Sequence, residues 1–522
     1  MQLLTGCRPA VMMLGICCSL SAAAQDCPAR PARGSVVQNP FSISSQNGAL
    51  DATLTMARSV DSYGYTHYCY KYNSGGQVIE APTLRLNPGD RLNLRVVNRI
   101  VNNDAMKMKM SATGGLGKIC GDGGPETLDS TNVHFHGLNV PPTCHQYDVI
   151  NTLIQPGTSG FQYSIQIPAT EPPGLYWYHP HVHGFTEFQV NGGAAGAIVV
   201  EGMEKLRPEV KGLTERILVI RQQYLVPWIP GPYQLTLNYV TTPTLAGPGR
   251  PIIQMQAGQK EFWRVANASL QDFLQLQVFE NNELVPLEEI ALDGYPLAQT
   301  RSETTILIPP AGRAEFIVAA PEAGVSAYLY TQNYDTGPTG NADLSGVLAN
   351  IQVVSGNSTS LSQRSLASAP ALKFSDLAGQ SPTAQRKLYF SEEFGGTNGP
   401  IQFYITVDGQ EPRVFDPDEK PVITTRVGAV EDWTIENRAL ETHAFHIHQI
   451  HFQLLEVNGK PVTDNDLRDT IEIPYWTGTG PYPSVKVRMD FRDPAIAGTF
   501  LFHCHILLHE DLGMMHKILV EP

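Results

Sequence analysis

The sequence predicts an all-β protein that consists of three β-sandwich domains in tandem, and three observations support this prediction. At 522 residues the chain is too long for one ordinary hydrophobic core, and its length favours roughly three domains. Its 46 Gly and 39 Pro suit many short strands joined by turns better than long helices. The chain also contains an internal repeat, which occurs three times at a nearly constant interval.

The first repeated element is a turn followed by a strand that ends at an asparagine. Its copies cover positions 89–98, 258–267 and 428–437, so they begin 169 and 170 positions apart. Each copy starts with Gly, ends with Asn and alternates apolar and polar residues between them. This alternation is typical of a half-buried strand, because successive side chains of a strand point to opposite faces.

A second repeated element follows later in each unit. Positions 174–179 (GLYWYH) match positions 498–503 (GTFLFH), while the middle unit has a looser version at 328–333. The middle copy carries Thr331 and Asn333 where the outer copies have other residues, including His at the last position. The outer units are therefore more similar to each other than to the middle one.

These repeats define the expected domain organisation. Short strands at regular spacing, with Gly and Pro in the turns, predict a β-sandwich in each unit. The expected sandwiches cover residues 25–205, 206–355 and 386–522, and the Ser/Ala-rich stretch 356–385 is expected to be a linker.

The first residues resemble a secretory signal peptide. Arg8 supplies a positive charge, an apolar stretch covers 11–20, and three alanines at 22–24 form a small-residue cleavage site. The apolar stretch is too short to span a bilayer as a helix. We therefore expect residues 1–24 to be a signal peptide, and the mature protein to be periplasmic or secreted without a membrane span.

The composition of the remaining chain excludes one class of partner and indicates disulfides. The formal net charge of −14 leaves no basic patch for the phosphates of nucleic acid. Five cysteines follow residue 24, and four of them lie outside the metal motif described below. An even number of cysteines in an oxidising compartment favours disulfides, for which three connectivities exist. We prefer Cys27 with Cys69 and Cys120 with Cys144.

The histidines are concentrated in four short clusters. Ten of the 15 histidines belong to these clusters, two of which lie in the first unit and two in the third. The clusters are His134 and His136; His179 and His181; His443, His446 and His448; and His503, His505 and His509. The middle unit contains none of them. The first and third units are therefore expected to share a metal site, with the middle unit as a spacer or a wall of the substrate site.

Strand parity divides these residues between two metal sites. Because side chains alternate between faces, Cys504 points away from His503 and His505. His446 and His448 share one face, and His443 lies on the opposite one. One site is expected to contain Cys504 and His443, completed by His509 from the turn after the strand. The other is expected to contain eight histidines that meet across the interface between the outer domains: His134, His136, His179, His181, His446, His448, His503 and His505.

The ligand types indicate copper at both sites. One thiolate, two imidazoles and a weak thioether, for which Met514 is the candidate, make a one-electron copper site. Eight imidazoles without a carboxylate suit three copper ions, and Cys504 connects the two sites through a few covalent bonds. A four-electron reaction such as the reduction of dioxygen could use this connection. An isolated His-x-His is usually structural, and a zinc site needs only four ligands, so neither alternative explains four clusters of compatible parity.

These four segments resemble the copper-binding motifs of the multicopper oxidases, the family of laccases, ferroxidases and bacterial copper-efflux oxidases. The resemblance covers essentially the whole mature chain and implies three cupredoxin-like Greek-key domains with four copper ions. It implies a type 1 copper at His443, Cys504 and His509, with Met514 as axial ligand. By the same resemblance, His134 and His446 match the type 2 ligands. The type 3 pair matches His136, His179, His181, His448, His503 and His505.

The resemblance also implies roles for a few further residues. Asp148 and Glu510 resemble acids that relay protons in bacterial members, although either could be an ordinary surface or turn residue. His183 is interpreted as lying just outside the ligand set. His67, His145, His451 and His516 are interpreted as surface or packing residues. Met106, Met108 and Met110 resemble methionine-rich loops that hold Cu(I), although they also fit an ordinary apolar loop.

The expected function is that of a laccase-like oxidase, which oxidises a phenolic reductant by single electrons and reduces dioxygen to water. One alternative is a metal oxidase that acts on Cu(I) or Fe(II) in copper tolerance. Another is an exported protein that sequesters copper. The expected partners are dioxygen and a small-molecule or metal-ion reductant.

Overall fold

The structure is a computed structural model of the chain. It describes residues 26–61, 64–101, 120–224, 233–243, 249–343, 345–355, 369, 372–395 and 401–522. The predicted signal peptide, the three methionines at 106, 108 and 110, and half of the predicted linker (356–368, 370 and 371) lie outside the described residues. Among the described residues, no helix has the length and apolar character needed to cross a membrane.

The first unit is a sandwich of two five-stranded sheets. Its elements are β1 (Ser42–Ser44), β2 (Ala49–Val60), β3 (Thr66–Ser74), β4 (Gln77–Glu80), β5 (Thr83–Leu86), β6 (Arg91–Asn98), β7 (Cys120–Gly121), β8 (His134–His136), β9 (Thr152–Leu153), β10 (Phe161–Gln166), β11 (Gly174–His179), α1 (Thr186–Asn191), β12 (Gly196–Val200) and α2 (Met203–Leu206). The sheets have the orders β1-β5-β12-β11-β8 and β10-β6-β2-β3-β4, and β7 pairs with β9. Apolar side chains from both sheets form one shared core.

The middle unit has a seven-stranded and a six-stranded sheet. Its elements are β13 (Thr214–Tyr224), β14 (Tyr233–Leu237), β15 (Val240–Thr241), β16 (Ile252–Gln256), β17 (Lys260–Ala268), β18 (Leu274–Glu280), β19 (Glu283–Val285), β20 (Leu287–Leu292), β21 (Tyr295–Glu303), β22 (Ile306–Ile308), β23 (Arg313–Ala319), β24 (Ala327–Gln332) and β25 (Gly346–Val354). The sheet orders are β15-β14-β13-β17-β23-β20-β21 and β16-β25-β24-β18-β19, with β22 paired to β18. The two sheets again pack over a single apolar core.

The last unit repeats this plan. Its elements are β26 (Ala384–Phe394), β27 (Ile401–Val407), β28 (Ile423–Arg426), β29 (Ala429–Asn437), β30 (His443–Ile447), β31 (Phe452–Val457), β32 (Lys460–Pro461), β33 (Leu467–Arg468), β34 (Thr470–Ile473), β35 (Ser484–Phe491), β36 (Gly498–Cys504), α3 (Leu507–Asp511) and β37 (Met515–Glu521). Among the described residues, short 3-10 helices cover Pro208–Val210, Leu377–Gly379 and Pro494–Ile496. The sheet orders are β27-β26-β29-β35-β31-β32, with β33 paired to β31, and β28-β37-β36-β30-β34. The prediction of an all-β chain with three tandem sandwiches is confirmed.

The asparagine that ends the first repeated element makes the same kind of hydrogen bond in each unit. Asn98, Asn267 and Asn437 are fully buried at the ends of β6, β17 and β29. Each donates from Nδ2 to backbone carbonyl groups of neighbouring loops. Buried carbonyl groups need such donors. The repeated asparagine therefore supplies hydrogen bonds to buried carbonyl groups at the equivalent position of each sandwich.

Strand pairing brings the four histidine clusters together in two pairs. In the first unit β8 lies beside β11, and His134 is directly opposite His179. In the last unit β30 lies beside β36, and His446 is directly opposite His503. Each outer domain therefore presents two clusters from adjacent antiparallel strands, as the similarity of these units implied.

Both preferred disulfides are present. Cys27 is bonded to Cys69, and Cys120 is bonded to Cys144, so the connectivity chosen from three possibilities is confirmed. Cys504 is a free, buried thiol.

Candidate metal centres

The first centre, which we call the thiolate centre, contains Cys504, His443 and His509. The Cys504 Sγ lies 3.6 Å from His443 Nδ1 and 3.9 Å from His509 Nδ1. All three side chains are buried, and burial raises the pKa of the Cys504 thiol well above its ordinary value. A bound cation would stabilise the thiolate instead. His509 was expected in a turn, but it lies on the short helix α3, which begins three residues after the end of β36.

Met514, the candidate axial ligand, is fully buried next to the thiolate centre. Its backbone N–H donates to the carbonyl of His509, and its carbonyl accepts from the N–H of Cys504. These bonds tie Met514 to two of the three residues of the centre.

The second centre, which we call the histidine cluster, contains the eight remaining predicted ligands. Every one of these side chains is buried, and they come from both outer domains. His134 stacks on His448 with ring centroids 4.2 Å apart, and His136 stacks on His446 at 4.0 Å. His448 Nε2 also lies 3.1 Å from His503 Nε2. The predicted interface between the first and third domains is thus the place where the rings meet.

The ring nitrogens of the cluster fit a metal site. Several of them are buried without a hydrogen-bond partner among the described residues, namely His179 Nε2, His181 Nε2, His446 Nε2, His448 Nδ1 and both nitrogens of His505. Buried polar atoms are rarely left in this state unless a ligand satisfies them. Burial and the neighbouring rings also lower the pKa well below the ordinary value for His134, His136, His179, His181, His448, His503 and His505. Neutral imidazole is the form that binds a metal.

A carboxylate contacts the cluster, which the sequence analysis expected to consist of imidazoles alone. The Asp469 Oδ1 lies 3.4 Å from His136 Nε2 and 3.6 Å from His446 Nδ1. Asp469 is in turn paired with Arg313 of the middle domain. The parity argument missed Asp469 because it follows the very short strand β33 and belongs to no repeated element.

The two candidate proton-relay acids occupy different surroundings. Glu510 is fully buried, with Oε2 3.3 Å from His503 Nδ1 and Oε1 3.5 Å from His181 Nε2. Burial raises the pKa of Glu510 well above its ordinary value. Asp148 instead accepts hydrogen bonds from Asn151 through both carboxylate oxygens.

The residue before Asp148, Tyr147, contacts a histidine of the cluster directly. The Tyr147 hydroxyl oxygen lies 2.6 Å from His134 Nδ1, and the two rings are stacked with centroids 5.1 Å apart. Tyr147 is buried, which raises its pKa well above the ordinary value. Its position next to Asp148 was the one signal in the sequence that could have revealed it.

Acidic side chains lie behind the two histidines of the thiolate centre. The Glu392 Oε1 lies 3.4 Å from His443 Nε2, and the Glu441 Oε2 lies 3.7 Å from His509 Nε2. Burial, followed by the charge of Glu392, raises the pKa of Glu441 to about 9. Burial also raises the pKa of Asp343, in a loop of the middle domain, to about 9. Glu392 comes from β26, and no sequence pattern marked it.

The other histidines lie beside unrelated partners. His183, which was expected just outside the ligand set, has its ring 5.1 Å from that of Phe415. The four histidines interpreted as surface or packing residues contact Asp61 (His67), Gln162 and Phe161 (His145), Asp293 (His451) and Phe502 (His516).

Three cupredoxin-like sandwiches, with a Cys-His₂ site directly connected to a cluster of eight buried histidines, define a redox metalloprotein. Two family models described as multicopper oxidase match this chain, at residues 126–205 and 395–522. Together they include all the predicted ligands of both centres.

Similar proteins cover most of the chain. The multicopper oxidase mco of Staphylococcus aureus is 23% identical over 490 residues, which are 91% of this chain and 89% of that protein. A laccase of Bacillus subtilis is 22% identical over 425 residues, covering 74% of this chain and 79% of that protein.

Solved structures agree in fold. A multicopper oxidase from Campylobacter jejuni, described as a metallo-oxidase, has a TM-score of 0.67 and 24% identity and covers 94% of this chain and 96% of its own. McoA of Aquifex aeolicus has a TM-score of 0.67 and 19% identity, with 93% and 99% covered.

The family models, the relatives and the solved structures all indicate that the chain is a bacterial multicopper oxidase. It is a copper-dependent oxidoreductase of the type that its bacterial relatives represent.

Proposed function

We propose that the protein couples the one-electron oxidation of a reductant at the thiolate centre to the four-electron reduction of dioxygen to water at the histidine cluster. The observation that carries this proposal is the sequence His503-Cys504-His505, whose middle residue belongs to one centre and whose outer residues belong to the other. When bound, copper supplies the one-electron redox couple at the first centre and the multi-electron chemistry at the second. We propose four ions, one in the thiolate centre and three in the cluster.

The residues around the two centres determine how electrons and protons reach them. Cys504 is the shortest covalent connection, because its neighbours on both sides carry cluster ligands. Burial of all eight cluster rings excludes bulk water, so protons need a defined route. We place the proton donor at the Glu510 carboxyl group, which lies between His181 and His503.

The surroundings of the thiolate centre favour a metal cation as the reductant. His443 and His509 are buried, so a phenol ring has little ring edge to contact. Their outward nitrogens face Glu392 and Glu441, neither of which is paired with a Lys or Arg among the described residues. A small cation would balance the negative charge that these two acids share. Because carboxylate oxygens are hard ligands, we propose Fe(II) in preference to Cu(I).

Oxidation of phenols is the second candidate, and the relatives described as laccases favour it. The Campylobacter jejuni structure, described as a metallo-oxidase, favours the first. Copper sequestration remains the third, and it predicts a loaded protein that consumes no dioxygen.

Oxygen uptake with Fe(II), Cu(I) and a simple phenol tests these functions on the copper-loaded protein. Glu392→Gln should raise the KM for Fe(II) by about 10-fold or more, because a charge-assisted contact is lost, and should leave the KM for the phenol unchanged. Glu393→Gln is the matched control, since Glu393 is the next residue on the same strand and is exposed. Equal effects on Fe(II) and phenol would reject the cation site, and absence of uptake with all three reductants would reject the oxidase.

We also propose that the protein is exported to the periplasm or secreted. Its two disulfides support this, because such bonds persist in oxidising compartments. N-terminal sequencing of the protein from its host should give a mature end near Gln25. A mature protein that retains its first residues would contradict this proposal.

A further inference from the structure

The middle domain carries none of the predicted ligands, yet one of its side chains reaches the edge of the histidine cluster. Arg313, the first residue of β23, is completely buried. Its Nη1 donates to Asp469 Oδ1 at 2.8 Å, and its Nη2 donates to Asp469 Oδ2 at 2.6 Å. This is a two-pronged ion pair between the middle and last domains, a geometry that only arginine provides.

Asp469 connects this ion pair to histidines of both outer domains. Its Oδ1 faces His136 Nε2 of the first domain at 3.4 Å and His446 Nδ1 of the last domain at 3.6 Å. The backbone carbonyl of Asp469 also accepts a hydrogen bond from His446 Nδ1 at 2.8 Å. These contacts leave His136 Nδ1 and His446 Nε2 as the nitrogens available for a metal.

The guanidinium of Arg313 is fixed in place by further acceptors. Nε donates to the carbonyl of Leu175, Nη1 to that of Ala311, and Nη2 to that of Asp293. The Asp293 side chain in turn accepts from the backbone N–H of Arg313 and from that of Asp469. One arginine therefore joins backbone and side-chain groups from all three domains.

The backbone of the first domain packs closely against this ion pair. Gly137, directly after the first histidine cluster, has a φ of +91°. A Cβ at this position would lie 2.5 Å from Arg313 Nη2 and 2.9 Å from Asp469 Oδ2. The backbone of the first domain thus closes directly over the ion pair.

We propose that Arg313 is a positioning residue for the copper cluster, through which the middle domain sets the ring orientation of His136 and His446. A carboxylate that faces metal-binding histidines fixes which ring nitrogen is left for the metal, and loss of such a partner typically lowers metal affinity 10- to 100-fold. Asp469 can hold this position in a buried site because Arg313 provides its counter-charge. The inference rests on the copper cluster proposed above.

Arg313→Lys tests the proposal, because lysine keeps the charge but cannot form the two-pronged pair. Arg264→Lys is the matched control: Arg264 is a buried arginine of the same domain, and it pairs with Glu215 and Glu315. The measurements are bound copper per chain, the rate of copper loss to a chelator, and the EPR spectrum. None of them requires turnover.

Arg313→Lys should release cluster copper at least 10-fold faster and shift the EPR hyperfine splitting of the cluster copper. The visible band of the thiolate centre should be unchanged, which also reports that the last domain is folded. Arg264→Lys should leave both signals as in the wild type. Unchanged cluster copper in Arg313→Lys, or equal losses in the two variants, would overturn the proposal.

The isosteric variant Asp469→Asn decides the case if Arg313→Lys does not fold. It removes the paired charge without creating a cavity, and it should show the same selective loss of cluster copper. A normal EPR spectrum and normal copper retention in Asp469→Asn would overturn the proposal as well. Copper binding by the wild type is measured in the same experiment, so a failure of the proposed copper cluster itself is recognised separately.

Discussion

Glu171 should make the protein less stable as the pH rises through neutrality. It lies in the loop between β10 and β11 and is fully buried. Its Oε1 accepts hydrogen bonds from the N–H and Nδ2 of Asn139, whereas Oε2 has no partner among the described residues. Burial is the largest cause that raises the pKa of Glu171 from 4.5 to about 7.

The size and direction of the effect follow from this pKa. Below pH 4.5 the carboxyl group of Glu171 is protonated in both the folded and unfolded chains, so burial costs no charge. Above pH 7 it is ionised in both, and the folded chain has to hold a buried charge. A pKa difference of 2.5 units corresponds to about 3 kcal/mol at 1.36 kcal/mol per unit, which is lost between pH 4.5 and 7.

Glu171→Gln should remove this loss, because glutamine has the same shape and no charge. About 2.5 kcal/mol of this loss occurs between pH 5 and pH 8. Relative to wild type, its Tm should therefore rise by about 5–10 °C more at pH 8 than at pH 5, given 2–4 °C per kcal/mol. Differential scanning calorimetry at both pH values measures this, with the exposed Glu283→Gln as control. If the difference in Tm between Glu171→Gln and wild type were the same at pH 5 and pH 8, the reasoning would be refuted.

Three further predictions concern the two centres and the repeated asparagine. Cys504→Ser should remove the visible band and about one copper per chain while cluster copper stays, as elemental analysis would show; loss of all copper would contradict separate centres. Glu510→Gln should lower kcat with dioxygen by about 100-fold or more, whereas Asp148→Asn should change it by less than about threefold, in steady-state oxygen uptake. The reverse order would place the proton donor at Asp148. Asn267→Ala should lower the free energy of unfolding by about 2–3 kcal/mol in denaturant titrations, because buried carbonyl groups lose their donor; an unchanged midpoint would contradict this.

The sequence was informative wherever a side chain is placed by local periodicity. The alternation of strand faces was enough to separate Cys504 from His503 and His505, because these positions depend only on the pleat of one strand. The threefold repeat predicted the sandwiches for a similar reason, since each copy contains its own turn, strand and asparagine. The even number of cysteines predicted disulfides but did not determine which cysteines pair, so the pairing had to be chosen from three possible connectivities.

The parts that the sequence did not predict depend on contacts between residues far apart in the chain, or on the conformation of a loop. Arg313 and Asp469 are 156 positions apart, and each lies outside the repeated elements. Glu392 reaches His443 only because β26 lies near the end of β30, which no local pattern encodes. Asp148 and Tyr147 show the same limit on a smaller scale: the sequence indicated the right loop, but the loop conformation decides which side chain faces His134.

The alternation within β36 makes the strand's register a condition for both centres at once. A slip of one residue against β30 and β37 would turn the thiol of Cys504 toward the imidazoles and move two imidazoles to the opposite side. A shifted register of β36 would therefore disrupt both centres together and would not leave one of them intact. A one-residue insertion or deletion in this strand should remove both kinds of copper together, whereas the same change in a loop of the middle domain that lies away from Asp293 and Arg313 should be tolerated.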